Sequence, residues 1–126
     1  MDSISKARRN LDDARTILRE KANKEEGYYQ DAKYVRMAGR TAYAGVLMAL
    51  NDVLGLKRND RKDVDWYGQQ LLLLNKDVLS AFRTTYQVLH LSMIYDGLQD
   101  AVIVEIGLKR ADSIIDWVEQ RSTAAA

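Results

Sequence analysis

The sequence predicts an all-α fold, an antiparallel bundle of four long helices plus one short helix. Three observations carry this. Apolar residues recur with a 3.6-residue period along most of the chain, and no segment alternates convincingly as a strand would. There is no proline, and the seven glycines mostly fall where helices should end. At 126 residues, with 47% hydrophobic and 29% charged content, one globular domain is expected over residues 1–126, with its core at about 4–118. A chain of this size buries roughly two-thirds of its unfolded surface, enough for one core.

The first helix is expected at residues 3–22, where Ile4, Ala7, Leu11, Ala14 and Leu18 form one stripe. The polar stretch Asn23-Lys24-Glu25-Glu26-Gly27 reads as a turn. The second helix is expected at 28–54, with Gly55 as its stop. One of its faces presents Tyr34, Ala38, Thr41, Gly45, Met48 and Ala49, small enough in places for a neighbouring helix to approach closely, which suits a central helix. The other begins Tyr29, Lys33, Arg36, Arg40, Tyr43 and turns apolar at Leu47, Leu50 and Leu54. Residues 56–62 (LKRNDRK) read as an exposed connection. Asp63 can cap a short helix running to Leu74, and Asp77 is the preferred cap of the next long helix, at 78–95, which Asp96-Gly97 closes. The last helix, at 100–121, carries Val104, Leu108, Ala111, Ile115 and Val118, and 122–126 is expected to be a frayed tail.

Composition excludes several chemistries. With no cysteine there is no disulfide, thiolate ligand or cysteine nucleophile. A single histidine and no Glu-x-x-His pair leave no metal site to expect, and no glycine-rich strand-to-helix loop is present to cradle a nucleotide, so no cofactor is expected. The N-terminus carries charges where a signal peptide needs its apolar stretch, and no apolar run approaches the roughly 20 residues of a membrane span. A cytoplasmic protein without a membrane partner is the expectation. Net charge is +1, but its distribution is uneven. Residues 1–62 carry 14 Lys and Arg against 9 Asp and Glu, whereas residues 63–126 carry 5 against 9. Such polarity suits head-to-tail association or an anionic ligand on the first half, and also arises on ordinary solvated helix faces.

The one constellation with specific chemistry is Arg83 and His90. On an α-helix seven residues make almost two turns, so both side chains project to one side, roughly 10 Å apart along the axis. The core-facing stripe of that helix is Leu79, Phe82, Tyr86, Leu89 and Met93, which places the pair at its border. Histidine can move the proton of an RNA 2′-hydroxyl or of a leaving oxygen. Arginine grips a phosphate through paired N–H donors. One histidine per chain cannot be both base and acid, so catalysis by this pair implies a homodimer. The bland alternative stands beside it: a histidine hydrogen-bonded at the edge of the core and an arginine in an ion pair.

The bundle, the central stretch Gly39-Arg40-Thr41-Ala42-Tyr43-Ala44-Gly45-Val46-Leu47 and the run Arg83-Thr-Thr-Tyr-Gln-Val-Leu-His90 resemble the HEPN (higher eukaryotes and prokaryotes nucleotide-binding) superfamily. Its hallmark is Arg, four to six residues, then His; here the spacing is six and Thr84 follows the arginine. The resemblance implies a metal-independent ribonuclease of toxin type, or a catalytically degenerate relative, acting as a dimer. Arg83 would bind phosphate and His90 transfer protons, with RNA as substrate and an antitoxin as a further partner. An uncharacterised small bacterial helical family sharing this outline, or a non-catalytic helical interaction module, remains the alternative.

A second candidate is the stripe Tyr29, Lys33, Arg36, Arg40 and Tyr43, whose cations and rings at helical spacing suit RNA or a small anion as well as a plain solvated face. Lys57, Arg58, Arg61 and Lys62 form another basic patch, of the kind connections carry for solubility.

Overall fold

The computed structural model describes the backbone of residues 2–125 and the side chains of residues 2–122. It is an all-α fold of five helices with one tiny hairpin. The helices are α1 (Ser3–Lys21), α2 (Ala32–Val53), α3 (Val64–Leu74), α4 (Lys76–Thr85) and α5 (Ala101–Ala125). Between α4 and α5, Tyr86–Tyr95 continues α4 as a π-helix.

α1 and α2, α2 and the π segment, and α1 and α5 each run antiparallel, as their pairings along the axis show. At one end of the α1–α2 pair the Asp31 N–H donates to Ala22 O; further along, Asn10 reaches Thr41 O, and at the far end Arg58 reaches Ser3. α2 passes the π segment the same way, Arg36 meeting Ile94 and Tyr43 meeting Tyr86 and His90. α1 and α5 are joined by Arg8 with Asp116 and Glu119, and by Arg15 with Glu105 and Asp112. These pairs put part of the first half's positive charge and the second half's negative charge to intramolecular use.

The core holds the expected α1 stripe of Ala7, Leu11, Ala14 and Leu18, and on α5 Val104, Leu108, Ala111, Ile115 and Val118. Small residues set the helix spacing. A Cβ on Gly45 would lie 2.8 Å from Asn10 Cβ, one on Gly39 2.9 Å from Leu89 O, and one on Gly107 would overlap the Val88 side chain. Gly39 and Gly107 thus admit the broad π segment between α2 and α5.

Several boundaries differ from the sequence expectation. Residues 24–29 form a hairpin, with β1 (Lys24–Glu25) paired to β2 (Tyr28–Tyr29) and left-handed backbone at Glu26 and Gly27. Tyr28 and Tyr29 therefore precede the second helix rather than begin it, and Asp31 caps α2 by accepting from Lys33 N. Strands of two residues are too short to show alternation, which is why the sequence pattern missed them. The backbone of residues 99–101 lies alongside, Tyr29 N–H donating to Gln99 O at 2.8 Å and Ala101 N–H to Gly27 O at 2.9 Å.

Asp63 caps α3 as expected, but α4 is capped by Asn75, not Asp77; the Asn75 side chain accepts from both Asp77 N and Val78 N. The Asp77 carboxylate sits in the first turn, where the helix dipole also favours it. The helix expected at 78–95 changes its winding after Thr85. The segment ends as anticipated, at Asp96-Gly97, where Gly97 takes φ +63° and its N–H donates to Met93 O. The last helix extends through Ala125; residue 126 of the tail expected to fray at 122–126 lies outside the described residues. No helix among the described residues is long and apolar enough to cross a membrane.

Candidate functional site

A π-helix closes its hydrogen bonds from residue i to i+5, so each turn takes in about one residue more than an α-turn. Over Tyr86–Tyr95 this rearranges which side chains share a face. In an α-helix, residues nine apart point to opposite sides. Here Tyr86, His90 and Tyr95, spaced by four and five, fall in one column. The Tyr86 and His90 rings stack with centroids 5.1 Å apart and planes at 17°, and Tyr95 meets His90 edge-on at 5.2 Å. Tyr43 of α2 closes the side of the imidazole at 5.0 Å.

The same winding separates the two residues of the Arg-x6-His motif. Four residues in the wider turn carry His90 back around the axis by roughly a quarter turn from where an α-helix would set it. Arg83 is exposed on a cleft lined by Asp65, Gln69, Leu72 and Phe82. His90 lines a neighbouring cleft of about 420 Å³, with Tyr43, Arg61, Lys62 and Asp63. Tyr86 and Val64 line both, so they form the ridge between them.

His90 is half-buried, neither sealed in the core nor free in solvent. Its Nδ1 is buried and has no hydrogen-bond partner among the described residues. The imidazolium must donate from both nitrogens, so an unpartnered Nδ1 disfavours the charged form. Burial lowers the His90 pKa below its ordinary value, and the nearby Arg61 charge lowers it further. The imidazole is therefore neutral near pH 7, with Nε2 the nitrogen left to reach the cleft. Burial likewise pushes the Tyr43 phenol well up, reinforced by Tyr86, so Tyr43 stays protonated.

Arg61 owes its place to Asn51, a fully buried polar residue near the end of α2. The Asn51 amide donates to the carbonyls of Lys57, Arg58 and Asp60, while its oxygen accepts from Tyr67 Oη at 2.7 Å. Asp60 accepts from Lys57 N at 3.1 Å and tightens the same loop. The connection is thus gripped from inside rather than merely solvated. Its Arg61 guanidinium rests over the Tyr43 ring at 6.0 Å, and Lys62 lies over Trp66 at 5.9 Å.

The stripe of Tyr29, Lys33, Arg36, Arg40 and Tyr43 is not brought together as one surface. Tyr29 sits on the hairpin and lines a separate cleft with Arg15 and Glu105. Arg36 donates to the carbonyls of Ile94 and Tyr95, closing the end of the π segment. Lys33 is exposed over the Tyr34 ring, Arg40 is exposed, and Tyr43 is buried beside His90. Sequence reasoning passed over Asn51, Tyr86 and Tyr95 as parts of the site. Asn51 left one signal, an amide among the apolar positions that end the second helix. The Tyr86–His90–Tyr95 column left none at a period of 3.6.

A family model described as a domain of unknown function (DUF5618) matches residues 2–120. Among solved structures, a protein of unknown function from Dyadobacter fermentans is similar, with 50% sequence identity, 94% of each chain covered and a TM-score of 0.88. No curated protein matches the chain.

Proposed function

The chain belongs to the DUF5618 family, and from its own side chains we propose that it is an HEPN-like protein acting on RNA without a metal, with His90 as the proton-transfer residue. The observation that carries this is the His90 cleft itself. An imidazole held neutral, with one nitrogen free toward a cleft lined by Arg61 and Lys62, suits a base beside a phosphodiester. In this reading Nε2 takes the 2′-hydroxyl proton, the hydroxyl oxygen attacks the adjacent phosphorus, and the 5′-oxygen leaves with a proton from an acid. Arg83, across the Tyr86 ridge, grips a neighbouring phosphate of the same strand and sets its direction. Arg40 and Lys33, both exposed, add weak and salt-sensitive attraction for the strand.

Because each chain has one histidine, the acid comes from a second copy, and the working form is a homodimer. Exposed apolar side chains at the start of α5, Val102, Ile103 and Ile106, beside Tyr28, support such an association. The same residues favour the second reading, a non-catalytic module that binds a partner protein such as an antitoxin. Incubation of labelled RNA with excess chelator separates the two. Cleavage by the wild type that is lost in His90→Ala supports the ribonuclease; no cleavage, with a stable dimer in both, supports the module.

A further inference from the structure

Around His90 the polar groups come from three elements: Tyr43 from α2, Arg61, Lys62 and Asp63 from the connection, and Tyr86 and Tyr95 from the π segment. Two cations face one carboxylate there, so the mouth of the cleft is net positive. Arg83 does not line it. We infer that the His90 cleft is a binding site for a phosphate ester and that Arg61, not Arg83, is the residue that grips the phosphate beside the imidazole. This rests on the reading of His90 as acting on phosphodiesters, and it changes which arginine serves the reacting group.

The geometry supplies each part. Arg61 is exposed yet not loose, because Asn51 anchors the loop behind it and the Tyr43 face lies beneath its guanidinium. Its planar fork can meet two phosphate oxygens at once, which a lysine cannot. Lys62 contributes a point charge at the rim, and the Asp63 carboxylate repels an anion that strays toward α3. The exposed Tyr95 ring at the end of the column offers a face on which the ester's base can stack.

The single histidine makes the test unambiguous, since one imidazole signal appears in a proton NMR titration. Inorganic phosphate and a nucleoside 3′-monophosphate are the probes, added to the wild-type chain and to Arg61→Gln and Arg83→Gln. Both substitutions fall on exposed side chains, and circular dichroism checks that each variant is folded. In the wild type, saturating phosphate should raise the His90 pKa, because a bound anion favours the imidazolium. In Arg61→Gln the probe affinity should fall about tenfold or more, consistent with loss of a charge-assisted pair. Arg83→Gln should leave the affinity within about twofold. Undiminished phosphate binding in Arg61→Gln, or a loss confined to Arg83→Gln, overturns the assignment. RNA cleavage that continues undiminished in Arg61→Gln also overturns it while leaving His90 catalysis standing. Phosphate binding through Arg61 in a protein that cleaves no RNA overturns the ribonuclease reading instead.

Discussion

His90 is held neutral by burial and by Arg61, and the consequence for stability has a definite sign. A histidine whose folded pKa lies below its unfolded value binds fewer protons when folded. Its contribution to stability is present above the unfolded value of 6.5 and is lost as pH falls through the lower folded value. Denaturant unfolding should therefore show the wild type weakening as pH drops below about 6.5, and His90→Phe should flatten that part of the profile. An unchanged slope in the variant would mean that the imidazole titrates normally. Thr85 is a second informative residue. It is fully buried and its Oγ1 has no hydrogen-bond partner among the described residues. Thr85→Val keeps the shape and removes the unpaired hydroxyl, so thermal unfolding should show a gain of about 1 kcal/mol. The same swap at a satisfied threonine would lose stability.

The π segment decides what the elements can do. Its broad turns bring Tyr86, His90 and Tyr95 into one column and set Arg83 apart from His90. They fit only because α2 and α5 present glycine to them. Gly107→Ala places a methyl where Val88 stands and should cost about 1–3 kcal/mol, measurable as a lowered denaturant midpoint. Asn51 does the corresponding work for the connection. Asn51→Leu strips its donors from three carbonyls and leaves Tyr67 Oη without its partner, a loss of about 2–3 kcal/mol. Faster amide exchange confined to residues 56–62 would show that the loop is released. Most helices were legible in the sequence because a 3.6-residue period and the Asp63 cap follow from local chemistry. The π winding was not. Tyr86–Tyr95 contains neither glycine nor proline, and its apolar positions at Leu89 and Met93 suit an α-helix equally well. An α-period applied there sets Arg83 and His90 on one side; with the wider turn they line two adjacent clefts that share Tyr86 and Val64.

At the scale of the whole molecule, the charge polarity of the sequence is partly consumed inside the fold. Arg8 and Arg15 of α1 meet carboxylates of α5, exposed or half-exposed pairs that fix helix register more than they add stability. The connection after α2 brings two further cations, Arg61 and Lys62, to the His90 cleft. The candidate pair was thus half legible: His90 could be singled out as the only histidine, whereas its neighbouring arginine comes from another element and depends on a buried amide that no spacing rule encodes. Sedimentation at micromolar concentration should give the mass of two chains, and a monomer would remove the second histidine that the cleavage scheme requires. The most direct measurement is the pH dependence of RNA cleavage by the wild-type chain and by His90→Ala, both in excess chelator. A metal-independent rate that falls on the acid side with a midpoint below 6.5, and that vanishes in His90→Ala, is the result predicted. A rate that is absent from the wild type, or that persists unchanged without His90, contradicts the account.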